Sequence, residues 1–259
     1  WVGVAYVSAF LGDIWALTNP WKILFGWVEK VWILLNSGKP LHPVLQYPSR
    51  FGAWPALVLF LLFAWAENVY GEAVVPFRIS QMILVYSAIT WAGMVLFGKN
   101  IWLQHGEAFS VAFGFLARFS PTEARVIELD SSSNFGDVGA AQILKDRSGS
   151  NSPRKGFYYK KELNLRLFGS GLLNSETVSA SQMLFVLVLL ATVTFDGFAA
   201  TLPWITLKRI ALEYMPNVQV VSTLGLFSTV VIFVSLYLSV CALMGKISKS
   251  GLRTIDLGK

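Results

Sequence analysis

Four long stretches of this chain contain no Asp, Glu, Lys or Arg: Phe51–Ala66, Ile79–Gly98, Thr177–Phe195 and Tyr214–Gly245. A helix needs about 20 mainly apolar residues to cross ~30 Å of hydrocarbon. Three of the runs reach about that length unaided, and the first does so only by taking in Glu67. In lipid the backbone must satisfy its own hydrogen bonds, which an isolated span can do only as a helix. The expected fold class is therefore an all-α integral membrane protein. Its four complete transmembrane helices fall near 52–70, 78–98, 180–202 and 220–245, with a partial N-terminal one at 1–18.

Composition agrees with this solvent. Only 14% of the 259 residues are charged, against roughly 25% in a soluble domain. Such a chain could not cover its apolar surface in water. The single cysteine, Cys241, lies in the last apolar run and can form no disulfide within the chain. The chain begins at Trp1 in an apolar stretch with no basic segment before it, which does not suit a signal peptide. The expectation is a helix begun upstream of Trp1. That stretch should stop at Thr18-Asn19-Pro20, where proline and the residue before it oppose helix.

The net charge of +6 reads as topology rather than as a nucleic-acid surface. If each span crosses once, 18 Lys and Arg fall on the side of the segment before Phe51, and only Arg78, Lys208 and Arg209 on the other. The basic side is the cytoplasmic one. This places the 99–178 segment and the C-terminus in the cytoplasm.

The segments between the spans give three regions: membrane residues 1–121, a cytoplasmic insertion at 122–176, and membrane residues 177–259. Within Trp21–Asn36, Leu24, Trp27, Val28, Val31, Leu34 and Leu35 recur at helical spacing. This is either an interfacial helix or one packed on other membrane helices. Ile101–Phe119 reads as a second interfacial or re-entrant helix, with Gly106, Ser110 and Gly114 forming a ridge of small residues suited to close packing. In the insertion, Arg125–Leu129 and Phe157–Phe168 have strand character and suggest a small β-hairpin. Ser131–Asn134 and Ser148–Pro153 read as loops. Lys160 and Lys161, beside Tyr158 and Tyr159, suit anionic lipid better than nucleic acid.

No phosphate-binding loop, dinucleotide fingerprint, H-E-x-x-H, C-x-x-C or G-x-S-x-G occurs. What remains is acids at membrane depth. Glu67 and Asp196 each lie roughly 20–25 Å into their helices, at ~1.5 Å per residue from Ala53 and Ala180. A charge at such depth costs at least ~2.5–3.5 kcal/mol unless it pairs, protonates or meets water. Asn68, Glu72, Thr194 and Thr201 lie nearby and complete an oxygen-rich candidate site for a proton or a hard cation. The plainer alternative is that both helices end there and the acids face outer water. A second candidate group is Asp13, His105 and Glu107, since one imidazole and two carboxylates could hold a divalent metal. His105 and Glu107 are two residues apart, however, and point to different faces of one helix. His42, between Pro40 and Pro43, reads as a loop residue.

Gly12-Asp13-Ile14-Trp15 through Asn19-Pro20-Trp21, Trp65-Ala66-Glu67, Gly106-Glu107-Ala108-Phe109 through Ser120-Pro121, and Phe195-Asp196-Gly197-Phe198 through Thr201 together resemble a family of bacterial polytopic membrane proteins commonly labelled fenitrothion hydrolase. The resemblance implies a multi-pass protein that hydrolyses lipophilic organophosphate esters, and it supplies no catalytic residue set. Phosphotriester chemistry usually calls on several histidines, and this chain has two. A proton- or cation-coupled transporter and a structural subunit packed among other membrane proteins stay open beside the enzyme.

Overall fold

The computed structural model describes residues 2–129, 158–173 and 178–247. They are mostly helical, and four helices are long and apolar enough to cross a membrane: Ser49–Asn68, Pro76–Phe97, Ala180–Ala199 and Val218–Lys246. In chain order the helices are α1 (Val2–Leu11), α2 (Trp15–Thr18), α3 (Pro20–Leu35), α4 (Trp54–Asn68), α5 (Pro76–Phe97), α6 (Lys99–His105) and α7 (Ala108–Ala117). After two strands come α8 (Ala180–Ala199), α9 (Leu202–Tyr214) and α10 (Val218–Ile247).

The termini follow local chemistry. Prolines sit in the first turns of α3, α4, α5 and α9, where the missing N–H costs no hydrogen bond. Ser179 and Gln182 cap the start of α8 reciprocally. Asn217 accepts from Gln219 N and Val220 N at 3.0 and 3.2 Å to open α10.

Lipid tails are as apolar as leucine, so close approach rather than water exclusion must hold such helices together. Small side chains make that approach possible: Ala56, Ala64, Ala108, Ala112 and Ala191 are all buried. Two tryptophans lie flat against glycine. A Cβ on Gly93 would come within 2.2 Å of the Trp102 ring, and one on Gly225 within 2.0 Å of Trp204. Outer faces remain apolar, with Leu84, Ile232 and Leu236 exposed, as contact with a bilayer requires.

Helix α7 is the hub. It touches α1, α2, α4, α6 and α8, and buries Ala108, Val111, Ala112 and Phe113. The single helix expected over 101–119 is instead two, broken at Gly106-Glu107. Gly106 lies so close to Trp102 that a Cβ would meet the ring at 2.5 Å. Glu107 turns back to cap α7, accepting from Phe109 N and Ser110 N. The small-residue ridge also reads differently in three dimensions, since a Cβ on Gly114 would meet nothing within 4 Å. Ser110 and Gly114 face a cavity rather than a helix seam.

Two further segments depart from the expected pattern. The N-terminal stretch breaks at Gly12, whose φ of +108° favours glycine, before the short α2. The residues left between the expected spans 180–202 and 220–245 form α9, where Trp204 fills the Gly225 slot on α10. The apolar stripe of α3, from Leu24 to Leu35, is 40–81% exposed at its Leu, Trp and Val positions. Only Phe25 of that helix is buried.

Strands β1 (Thr122–Leu129) and β2 (Tyr158–Leu165) pair antiparallel, Thr122 opposite Leu165 and Leu129 opposite Tyr158. This matches the expected strand pair, but β2 stops before Phe168. Arg166 leaves the ladder to cap α7, donating from Nε to Ser120 O at 3.0 Å and from Nη2 to Ala117 O and Arg118 O at 3.2 and 3.1 Å. The two expected loops, Ser131–Asn134 and Ser148–Pro153, lie outside the described residues.

Candidate functional site

Helix α7 separates two cavities. One face, Phe109, Ala112, Phe113 and Leu116, looks into a cavity of about 450 Å³ closed by α1, α4 and α8. The other, Ser110, Val111, Gly114 and Phe115, looks into a polar cavity of about 400 Å³. Both cavities touch α4 and α8 or their first turns. Ala53 and Gln182 line the polar one, and Glu67 and Asp196 line the apolar one. The two helices therefore run in the same direction and in step, locked at their starts by a 2.9 Å hydrogen bond from Ala53 N to Ser181 Oγ.

The apolar cavity brings together four of the six residues expected at the membrane site: Glu67, Asn68, Thr194 and Asp196. Glu67, Thr194 and Asp196 are exposed at its rim. Asn68 donates to Ala64 O at 2.9 Å and Thr194 to Leu190 O at 2.8 Å, as polar side chains in apolar helices do to satisfy their own donors. Glu72 and Thr201 are not among the lining residues. Glu72 instead pairs with Arg78 Nε at 2.7 Å and accepts from Tyr70 OH at 2.9 Å. The Tyr70 hydrogen bond, and then the Arg78 charge, hold the Glu72 carboxyl below the usual carboxylate range. Thr201 donates to Phe198 O at 2.7 Å.

Asp13, His105 and Glu107 are not gathered into one site. Among the described residues no three His, Cys, Asp or Glu side chains cluster as metal ligands. The break at Gly106 parts His105 from Glu107. His105 Nδ1 lies 3.2 Å from Ile101 O, and its ring packs 5.5 Å from that of Tyr47. Asp13 accepts from Ala16 N at 2.9 Å in its own turn. Burial pushes its carboxyl above the ordinary range, against the opposing pulls of the Ala16 N–H and the Lys22 charge. Because Asp13 keeps an exposed surface, screening by water leaves this shift little energetic weight.

Glu107 is the most enclosed acid among the described residues, with no exposed surface. It accepts from Phe109 N at 2.9 Å, Ser110 N at 2.7 Å, Asn19 Nδ2 at 3.3 Å and Tyr86 OH. Four donors surround an acceptor-only group, which is how a protein replaces the water a carboxylate loses. Asn19, itself fully buried, also donates to Ser110 Oγ at 3.0 Å and accepts from Lys22 N at 3.1 Å. Trp21 stacks on Phe109, meets Tyr86 edge-on, and donates to Ser87 Oγ at 2.8 Å. One carboxylate thus ties α3, α5 and α7 together.

Sequence reasoning passed over Asn19, Tyr86 and Ser110 as partners of Glu107, and Ser87 as the acceptor for Trp21. Three local signals were available: Asn-Pro at 19–20 is a cap followed by a first-turn proline, and Gly-Glu at 106–107 can end one helix and cap the next. Tyr86-Ser87 inside an apolar run was the third. No family model matches the chain, and neither a curated protein nor a solved structure is similar to it. The fold and cavities define a mostly helical chain with four helices suited to a bilayer.

Proposed function

We propose that this is a multi-pass protein of a bacterial inner membrane that hydrolyses lipophilic organophosphate esters in the cavity between α1, α4, α7 and α8. The observation that carries the reading is that Glu67 and Asp196, from two helices, line one cavity otherwise walled mostly by Phe, Leu, Ala and Val. About 450 Å³ suits a small lipophilic molecule, and such a molecule could enter from lipid. A carboxylate there can take a proton from water as the water oxygen bonds to phosphorus and the phosphorus–oxygen bond to the leaving alcohol breaks. The leaving group departs as an alkoxide or phenolate and takes the proton back from that same carboxyl, while the second carboxylate can accept the water's other hydrogen and hold the water in line. The resemblance of the segments around Glu67 and Asp196 to proteins labelled fenitrothion hydrolase supports the substrate class. Two carboxylates, an amide and a hydroxyl make an oxygen set suited to a hard cation. That set is short of three charged or imidazole ligands, and no step is routed through a metal.

In this reading the 99–178 segment and the C-terminus face the cytoplasm, supported by the distribution of Lys and Arg. The exposed stripe of α3 supports a helix lying in the inner interface, facing lipid rather than protein. Further membrane helices or other subunits would pack against the exposed apolar outer faces of the helices.

The test is release of nitrophenol from a dialkyl nitrophenyl phosphate triester by the purified protein in lipid nanodiscs. Turnover is expected for the wild type and is lost in Glu67→Gln and Asp196→Asn. Equal turnover in both variants, or none in the wild type, overturns the hydrolase. The same pair of carboxylates in an apolar cavity favours one other reading, a proton-coupled carrier. Proton flux into proteoliposomes that stops in both variants, without triester cleavage, would select it.

A further inference from the structure

The polar cavity on the opposite face of α7 has a different chemistry and a different place. It lies where α4 and α8 begin and α5 gives way to α6, since Ala53, Gln182 and Asn100 all line it. The ends of apolar spans sit at headgroup level. Two cations line the cavity, Lys22 from α3 and Arg118 at the end of α7. The Arg118 guanidinium lies over the Phe115 ring, 4.9 Å from its centroid. Neither cation has a carboxylate partner within salt-bridge distance among the described residues. Lys22 Nζ donates to Ala16 O, which places its charge in the wall. Gln182 accepts from Ser179 N with its oxygen, which leaves its amide hydrogens as donors on the cavity side of the ledger. Trp15 also lines the cavity, and its indole N–H is buried with no acceptor among the described residues. The one acid, Asp13, already accepts from Ala16 N.

We propose that this cavity is a binding site for a phosphate group, held by Arg118 and Lys22 at the inner-leaflet headgroup level. A guanidinium braced on an aromatic ring presents a fixed fork that matches two phosphate oxygens, and a lysine adds a point charge. The amides of Asn100, Gln104 and Gln182 add neutral donors, and Asp13 is the one acid against two cations, so the wall is net positive. Neither a metal nor a hydrocarbon ligand fits that balance. The phosphate can belong to an anionic lipid or be free in the cytoplasm, and the chemistry of recognition is the same. The site uses the face of α7 opposite to Glu67 and Asp196, so it stands independently of ester hydrolysis.

The experiment uses the whole protein. Native mass spectrometry would count phosphatidylglycerol and phosphatidylcholine molecules retained as each lipid is titrated. Calorimetry in phosphatidylcholine nanodiscs would measure inorganic phosphate. Preferential retention of phosphatidylglycerol, displaced by inorganic phosphate, shows that the phosphate group itself is bound. Retention without displacement shows that the lipid headgroup is required, and phosphate binding alone shows a soluble ligand. In all three supporting cases K22Q combined with R118Q should weaken binding about tenfold or more, since charge-assisted hydrogen bonds are lost. D13N removes the opposing charge and should tighten binding several-fold, which does not depend on the double variant folding. Unchanged binding in D13N, or no binding of either probe by the wild type, overturns the site.

Discussion

The two acidic regions of this molecule differ in what surrounds them. Glu107 sits in the hub with no exposed surface and four hydrogen-bond donors around its carboxylate. Glu67 and Asp196 sit exposed on the rim of an apolar cavity. An acid enclosed by donors from three helices is fixed in place and fixes them in turn. An acid exposed at a cavity rim has surface within reach of whatever occupies the cavity. The difference separates a structural carboxylate from two functional candidates, although all three lie in equally apolar stretches of sequence.

The sharpest way to break this comparison is to remove the enclosed acid. Glu107→Ala strips the cap from α7 and leaves four buried donors without an acceptor. Each such group costs about 1–3 kcal/mol before relaxation, so a loss of about 3–5 kcal/mol or failure to accumulate folded protein is expected. Thermal unfolding in detergent measures it. A melting temperature near that of the wild type would mean the hub does not depend on Glu107. Tyr86→Phe deletes one donor and leaves the carboxylate short of one partner, with an expected cost of about 1.5–3 kcal/mol. Its loss should be the smaller of the two, and the opposite order would put the weight on the tyrosine instead.

How much of this was legible beforehand depends on the range of the interaction. The four spanning helices follow from apolar runs and proline positions, both local, and they fall within a few residues of where the sequence placed them. The strand pair was visible from alternation and turn residues. The break at Gly106-Glu107 was signalled locally only by a glycine followed by a capping residue, and an amphipathic period continues through it. What breaks the helix there is the Trp102 ring against Gly106 together with a buried anion that needs donors from residues 19 and 86. Asn19 and Glu107 are 88 positions apart, a separation at which one sequence carries no pairing signal. Glu67 and Asp196 were placed by depth alone; both line one cavity, but its walls are mostly Phe, Leu, Ala and Val rather than the polar surroundings expected. Glu72 and Thr201 fell away because local partners, Arg78 with Tyr70 and the Phe198 carbonyl, take them up first.

The glycines sharpen the contrast between closed and open regions at a lower energy. Gly225→Ala and Gly93→Ala each drive a methyl group into an indole, at 2.0 and 2.2 Å from Trp204 and Trp102. Overpacking of this kind costs about 1–3 kcal/mol. Gly114→Ala, on the cavity face of α7, meets nothing within 4 Å. In the middle of a helix it should be neutral or stabilise by up to about 1 kcal/mol. Unfolding of the three variants side by side reads the difference. If Gly114→Ala proved the most damaging, the ridge of small residues would be a packing seam after all, against an uncharted neighbour.

The smallest effect on stability is expected at the rim itself. Glu67→Gln and Asp196→Asn keep the shape of each side chain and change only the charge of groups that face the cavity mouth. Substitutions at exposed sites away from packing features stay within about ±0.5 kcal/mol, so neither variant should move the unfolding midpoint appreciably. Turnover should disappear in both. Together with Glu107→Ala, this gives opposite signatures: one acid whose loss unfolds the protein, and two whose loss leaves a folded, inactive one. A fall of several kcal/mol in Glu67→Gln would place that acid inside a fixed network like that of Glu107, and its role would then be structural. Loss of activity without loss of stability is the outcome that assigns chemistry to the rim, because nothing in the packing would be left to explain it.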